Sequence, residues 1–259
     1  MRAPRVYRTP AVVLKRIDFG EADKILTLFT PFRGKLRAIA KGVRRPGSRM
    51  GGHLDLLTHS NLLLAHGRNF DIVTQSETLE SFIGLREDLW RAGHGYQVAE
   101  LIDRMTEDGH EDRPTYEALL EALRRIADDP DPELGVRQFE VTLLDRLGYR
   151  PQLRGCVVCG RALERVDSYY SPAAGGVLCP TCGPAEPTAR PIGANAFAML
   201  RLLQTGDYAT ARRVRKDEPL RRELEAITHL QIAYVLEREL KSTAFVTRLR
   251  ALAGGLVDG

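Results

Sequence analysis

The chain has 259 residues, with 38 Lys and Arg against 34 Asp and Glu, 43% hydrophobic and 28% charged residues. That composition belongs to a folded multidomain protein and excludes a disordered, collagen-like or disulfide-dense one. No apolar run reaches the roughly 20 residues that a membrane helix needs, and MRAPRVYRTP lacks the apolar stretch of a secretory signal. A cytoplasmic protein is expected. The net charge of +4 is unevenly spread: residues 1–80 hold 14 Lys and Arg against 7 Asp and Glu, whereas residues 81–155 hold 10 against 16. Only the first part suits a polyanionic partner.

From Pro10 to about Ser81 the sequence reads as strands. Ala11–Ile17 and Lys24–Thr30 are separated by a turn at Gly20, and Pro31–Gly34 turns into a third strand. That strand opens the most basic stretch of the chain, RGKLRAIAKGVRRPGSR, with Arg33, Lys35, Arg37, Lys41, Arg44, Arg45 and Arg49 and no acidic residue. Lys35, Arg37 and Lys41 take odd positions while Leu36, Ala38 and Ala40 take even ones. The pleat therefore sends cations to one face and apolar groups to the other. Gly42 and Pro46-Gly47 break the strand into a loop that carries the remaining arginines. Two more strands follow, divided by Gly67-Arg68-Asn69. Five short strands in about 70 residues predict a small closed barrel, of the oligonucleotide-binding or the SH3-like kind. Tyr7, Phe19, Phe29, Phe32 and Phe70 are its aromatic candidates for base stacking, with most expected in the core.

Near Leu85 the period changes to 3.6. Helices are predicted over Arg113–Asp129 and Leu134–Leu147, the second stopped by Gly148. Pro184–Gly193 reads as a linker. Three helices follow, over Ala194–Gln204, Tyr208–Arg215 and Pro219–Leu240, and then a polar tail ending in glycine. Arg212, Arg213, Arg215 and Lys216 form a second cationic cluster, read as a solvated helix face. Arg124, Arg125, Arg137, Arg146, Arg150 and Arg154 are candidates for a local basic pocket within the acidic middle.

All four cysteines fall in one place, as Cys156-Val-Val-Cys159 and Cys179-Pro-Thr-Cys182. Two CxxC turns about 20 residues apart are the spacing of a four-thiolate zinc site. A strand pair between the turns brings the halves together, and Gly160 and Gly183 follow the pairs as turn residues. Four thiolates close the coordination sphere, so one structural Zn2+ is expected, without an open position for substrate. An enzyme reading, a zinc-containing nucleic-acid enzyme such as a nuclease, is the alternative. It needs a carboxylate cluster or an activated nucleophile. Glu21 and Asp23 sit at a predicted turn, the six histidines are scattered, and no phosphate-binding glycine motif occurs. No catalytic residue is assigned and the chain is read as a non-enzyme.

Two stretches resemble the RecO family of bacterial DNA repair and recombination mediators. Ala11, Val13, Leu14, Gly20, Glu21, Asp23, Thr30, Gly34, Lys35, Ala40, Lys41, Gly42 and Ser48 match its opening. Arg137, Phe139, Glu140, Leu143, Leu144, Gly148, Tyr149, Pro151, Leu153, Cys156 to Gly160, Ser171, Pro172, Gly175, Gly176, Cys179 and Cys182 match its second signature. The resemblance implies an α+β multidomain protein with an N-terminal OB-fold β-barrel (1–80), an α-helical domain (81–150), an inserted four-cysteine zinc-finger knuckle (151–188) and C-terminal helices packing with the helical domain (189–259). It implies binding of single- and double-stranded DNA, annealing of complementary strands, and help in loading RecA onto strands coated by single-strand-binding protein. The implied partners are RecR, the C-terminal tail of single-strand-binding protein and, optionally, RecF, at a cytoplasmic, nucleoid-associated location.

Overall fold

In the computed structural model, residues 5–237 and 240–254 are described. They fall into two compact units, one drawn from Met1–Pro132 and Leu240–Gly259, the other from Glu133–Glu239.

The first unit opens with five strands, β1 (Val6–Phe19), β2 (Asp23–Thr30), β3 (Gly34–Ala40), β4 (His59–Ala65) and β5 (Asp71–Glu80). They close into a barrel in the order β1-β2-β3-β5-β4. The 14-residue β1 makes closure possible. Its first half, Val6–Val12, pairs with β4 and its second half pairs with β2, with a register shift between Val13 and Lys15. The last seam is the parallel contact of β3 with β5 at Ala38–Asp71 and Ile39–Ile72. This is the Greek-key order of the OB-fold, and it removes the ambiguity with an SH3-like barrel. Ala11, Val13, Leu26, Leu28, Ala38, Ala40, Leu62, Leu64 and Val73 fill the interior, as the alternation requires.

Three helices follow: α1 (Gly84–Glu87), α2 (Leu89–Met105) and α3 (Arg113–Asp128). The two longer ones start on aspartate caps, Asp88 accepting from the Trp90 and Arg91 N–H groups and Asp112 from that of Thr115. Arg91 donates to the carbonyls of Ile126, Ala127 and Asp129, so a cation closes the C-terminus of α3. At one end of the barrel wall, outward residues lie under these helices. Val12 and Phe29 are fully buried, and the Phe29 ring lies 6.2 Å from that of Tyr116 on α3.

His59 sits at this seam. One ring nitrogen, Nδ1, is 3.0 Å from the Glu80 carboxylate, and the other is 2.8 Å from the Tyr116 hydroxyl. Arg124 holds Glu80 by two bonds of 2.7 Å. Burial pushes the His59 imidazole below its ordinary pKa, against the pull of Glu80. The Arg124 guanidinium holds the Glu80 carboxyl low. In the unfolded chain His59 takes up a proton near pH ~6.5, which the folded chain accepts only at lower pH. This contribution is therefore fully present above about pH 6.5 and declines as pH falls below it. Glu80 adds a loss at lower pH still, as the solution falls through its depressed value. We expect urea stability to drop as pH falls below about 6.5, and His59→Gln to flatten that part of the profile. An unchanged slope in the variant would contradict the assignment.

In place of a polar tail, α8 (Lys241–Gly254) belongs to the first unit and packs on α2. The Glu100 carboxylate of α2 accepts the Lys241 and Ser242 N–H groups at 3.0 and 2.7 Å, so α8 is capped from a helix far away in sequence.

The second unit holds α4 (Pro132–Arg146), a three-stranded sheet of β6 (Ser168–Ser171), β7 (Gly176–Leu178) and β8 (Arg190–Ile192), and then α5 (Ala194–Gln204), α6 (Tyr208–Arg213) and α7 (Glu218–Leu236). Gly148, at φ +84°, stops the chain after α4 as expected. The stretch read as a linker supplies β8, an edge strand in the order β7-β6-β8. Pro191 is tolerated there because an edge can forgo one donor. The helix expected to reach Leu240 ends at Leu236, where Glu237 turns left-handed at φ 53°. Phe197, Leu200, Leu203, Leu224 and Ile227 form the helical core, and Leu153, Tyr170, Val177 and Cys179 of the sheet region belong to the same cluster.

Candidate metal centre and nucleic-acid interface

The four cysteines converge. Their Sγ atoms all lie within 4.8 Å of one another, none is in a disulfide, and Cys159 and Cys179 approach to 3.9 Å. A tetrahedron with metal–sulfur bonds of about 2.3 Å has corners about 3.8 Å apart. The donor set therefore fits one four-coordinate ion. Among the described residues this is the one such convergence of three or more Cys, His, Asp or Glu side chains.

Local chemistry explains how the chain builds it. The strands β6 and β7 pair antiparallel between the two CxxC turns, as their spacing requires. In each turn a glycine N–H bonds back to the first cysteine's carbonyl, Gly160 to Cys156 and Gly183 to Cys179, both at 2.9 Å. The two glycines differ in purpose. Gly160 takes the left-handed conformation, φ +72°, whereas a Cβ at Gly183 would fall 2.1 Å from the Tyr169 ring. Burial pushes the Cys156 thiol up, but backbone N–H groups of Cys159, Cys179 and Val158 outweigh it and bring the pKa to about 6. Bonding to the backbone of Cys182 lowers Cys179, and the neighbouring sulfurs, Cys179 first, push Cys182 up to about 12. The backbone N–H groups around Cys156 and Cys179 thus favour the thiolate form that a metal ion needs.

In the first unit, six of the seven cations singled out on the barrel are exposed: Arg33, Arg37, Lys41, Arg44, Arg45 and Arg49. Arg33 stacks over the Tyr7 ring at 4.1 Å, and Arg44 lies 3.5 Å from Asp18. Arg37, Lys41, Arg45 and Arg49 have no ion pair among the described residues.

Lys35 departs from the expectation. Its side chain is only 12% exposed and 3.5 Å from Asp108, and its ammonium donates to the Asp103 and Thr106 carbonyls at the end of α2. The alternation is correct, since Lys35 pairs with outward-facing Phe29, but the wall at that height is covered by helices. A cation there neutralises the negative end of α2. Lys35→Met should lower stability by about 1–3 kcal/mol, the cost of stranding buried acceptors. The salt dependence of nucleic-acid binding should stay unchanged; a shallower salt slope would return Lys35 to the interface.

The structure adds Lys15, exposed on β1, which the alternation of its own strand had not brought forward. The register aligns Lys15 with Thr27 and Thr27 with Arg37, so the two cations share a row that only the pairing reveals. Of the aromatic candidates only Phe29 is fully buried, and it lies beneath the helices on the outer wall, outside the barrel interior. Phe19 and Phe32 are half exposed, and the Tyr7 hydroxyl is bonded to Asp71.

Other sequence candidates have local duties. Asp23 accepts from the Gly42 N–H at 2.7 Å, a turn-closing bond. Lys216 caps α6 through the Ala211 and Val214 carbonyls. Arg137 is buried against Glu140 and Thr228, while Arg124, Arg125 and Arg150 pair with Glu80, Glu121 and Asp145. No described helix is long and apolar enough to cross a membrane.

The comparisons agree with this architecture. Residues 1–82 match the family "Recombination protein O N terminal" and residues 86–244 match "Recombination protein O C terminal". The chain is 41% identical over 248 residues to DNA repair protein RecO of Roseiflexus sp. (strain RS-1), covering 96% of this chain and 87% of that one. It is 33% identical over 250 residues to that of Dehalococcoides mccartyi (strain CBDB1), covering 96% and 98%. With that of Heliobacterium modesticaldum (strain ATCC 51547 / Ice1) it shares 39% identity over 246 residues, covering 93% and 89%. The OB-type barrel, the four-cysteine cluster and similarity along nearly the whole chain lead to one conclusion: this chain belongs to the RecO family of DNA repair and recombination proteins.

Proposed function

We propose that the protein is a recombination mediator that holds single- and double-stranded DNA on its barrel through Arg33, Arg37, Lys41, Arg44, Arg45 and Arg49, joined by Lys15. On this reading it anneals complementary strands and helps RecA load onto strands coated by single-strand-binding protein. It acts in the cytoplasm at the nucleoid, with RecR, with the tail of single-strand-binding protein and, where the pathway uses it, with RecF. The observation that carries the proposal is the acid-free run of accessible cations on β3 and the loop after it. Annealing makes and breaks no covalent bond. Its physical task is to hold two polyanions close enough to pair, and displaced counterions supply the driving force.

The four cysteines hold one zinc ion on this reading, with a structural role: Cys156, Cys159, Cys179 and Cys182 fill its tetrahedron and leave no site for a reacting group. Residues 1–80 then do the nucleic-acid work, and 151–188 are a metal-stabilised knuckle.

The test is annealing of complementary oligonucleotides alongside a salt titration. With about four phosphates neutralised, the log–log slope on single strands should be near about −3, and strand pairing should be accelerated while both strands stay intact. Magnesium-dependent degradation of the strands by pure protein would favour the nuclease reading instead.

A further inference from the structure

We propose that the barrel wall also carries an apolar row, Ile17, Ile25, Ile39 and Ile72, on which the bases of a single strand pack. The proposal rests on the reading that the barrel binds DNA through its cations, and adds what would separate single strands from duplex.

The register places the four side by side. Ile17 pairs with Ile25, Ile25 with Ile39, and Ile39 with Ile72 across the parallel seam. Four adjacent strands at about 4.8 Å spacing make a row about 14 Å long. Sequence neighbours of these residues, among them Leu26, Ala38, Ala40 and Val73, lie in the barrel core, so the pleat turns the isoleucines outward. Ile17 is 50% exposed, as is Phe19 two residues further along β1. Ile25, Ile39 and Ile72 are partly exposed. Outward apolar residues are not left open everywhere on this wall, because Val12 and Phe29 are fully buried. The open row lies in the part of the sheet that carries the cations.

Charge identifies the occupant. Two residues along the strands on one side lies the row Lys15–Thr27–Arg37; on the other lie Phe19, Asp23, whose carboxylate accepts the Gly42 N–H, and Lys41, two residues past Ile39. An apolar strip flanked by cations without ion pairs complements a chain that is anionic along its backbone and apolar on the faces of its side groups. A single strand of nucleic acid has both properties. A duplex keeps its base faces stacked inside and offers a flat wall its phosphates and sugars. Isoleucine has no hydrogen-bonding group, so packing on it is blind to sequence, as annealing between arbitrary complements requires.

The experiment compares three probes by fluorescence anisotropy with the full-length protein: a thymidine strand of about 20 nucleotides, an abasic strand with the same number of phosphates, and a duplex of the same length. The variant Ile25→Thr/Ile39→Thr keeps β-branched residues on the strands, and circular dichroism and melting verify its fold. Its affinity for the thymidine strand should fall about tenfold, toward the wild-type affinity for the abasic strand. Binding of the abasic strand and the duplex should stay within about twofold, with the salt slope unchanged. Equal wild-type affinity for thymidine and abasic strands, or equal losses on single strand and duplex in the variant, would overturn the proposal. Unchanged binding of all three probes would also overturn it and leave the row to a protein partner. A parallel variant, Arg37→Gln/Lys41→Gln, separates the two readings. If it weakens all three probes while the isoleucine variant weakens none, the base platform fails and the cationic interface stands. If it weakens none, the cationic interface itself fails.

Discussion

Cys179→Ser/Cys182→Ser should abolish the proposed zinc binding and unfold the segment around the four cysteines. The physical basis is size. The strands β6, β7 and β8 have four, three and three residues, well below what a free-standing sheet needs. Under the proposed function, an ion shared by the four sulfurs holds them, together with the attachment of Leu153, Tyr170 and Val177 to the helical core. Without the ion, thiols that converge within 4.8 Å lose the cation that joins them, and its binding free energy is lost from folding. Zinc measured by plasma mass spectrometry should fall from about one ion per chain to near zero. The melting temperature should fall on the order of 10 °C, as expected for losing several kcal/mol in a chain of this size. Affinity for DNA at low salt should be largely retained, because the exposed cations lie in the other compact unit. A metal-free variant that melts like the parent would contradict a structural ion.

Arg37→Glu/Lys41→Glu should have the largest effect on DNA. Both side chains are exposed and neither is tied to an acid, so their full charge faces solvent. Removing two phosphate contacts should make the single-strand salt slope shallower by about 1.4. Reversing the charges adds repulsion, for a loss of about 10–100-fold at low salt that is independent of sequence. Single strands and duplex should both weaken, since phosphates are common to them. Unchanged affinity in a folded variant would remove β3 from the interface.

Much of this was legible in the chain itself, for identifiable reasons. The barrel strands show because a small barrel needs strict inward alternation, and Leu26, Leu28, Ala38 and Ala40 supply it. The cysteines show because thiolate geometry dictates their spacing. What stayed hidden depends on distant partners. Lys35 lies on the outward face as the alternation says, but nothing local reveals that α2 ends against it. The helix α2 is buried around much of its surface and contains Gly93 and Gly95; a Cβ on Gly95 would come within 2.6 Å of Leu57. It therefore lacks the one-sided apolar stripe that marks α3. The end of α7 at Glu237 has neither glycine nor proline to announce it, and the start of α8 is fixed by Glu100 on another helix. The isoleucine row appears only when four strands are set in register.

The most direct measurement is a cross-linking map of a photoreactive single-stranded oligonucleotide bound to the full-length protein. Adducts should concentrate on the exposed wall of the barrel, from Lys15 on β1 through Arg37 and Lys41 to the loop ending at Arg49. Adducts confined to residues beyond 80 would contradict the assignment of the barrel as the surface that gathers DNA.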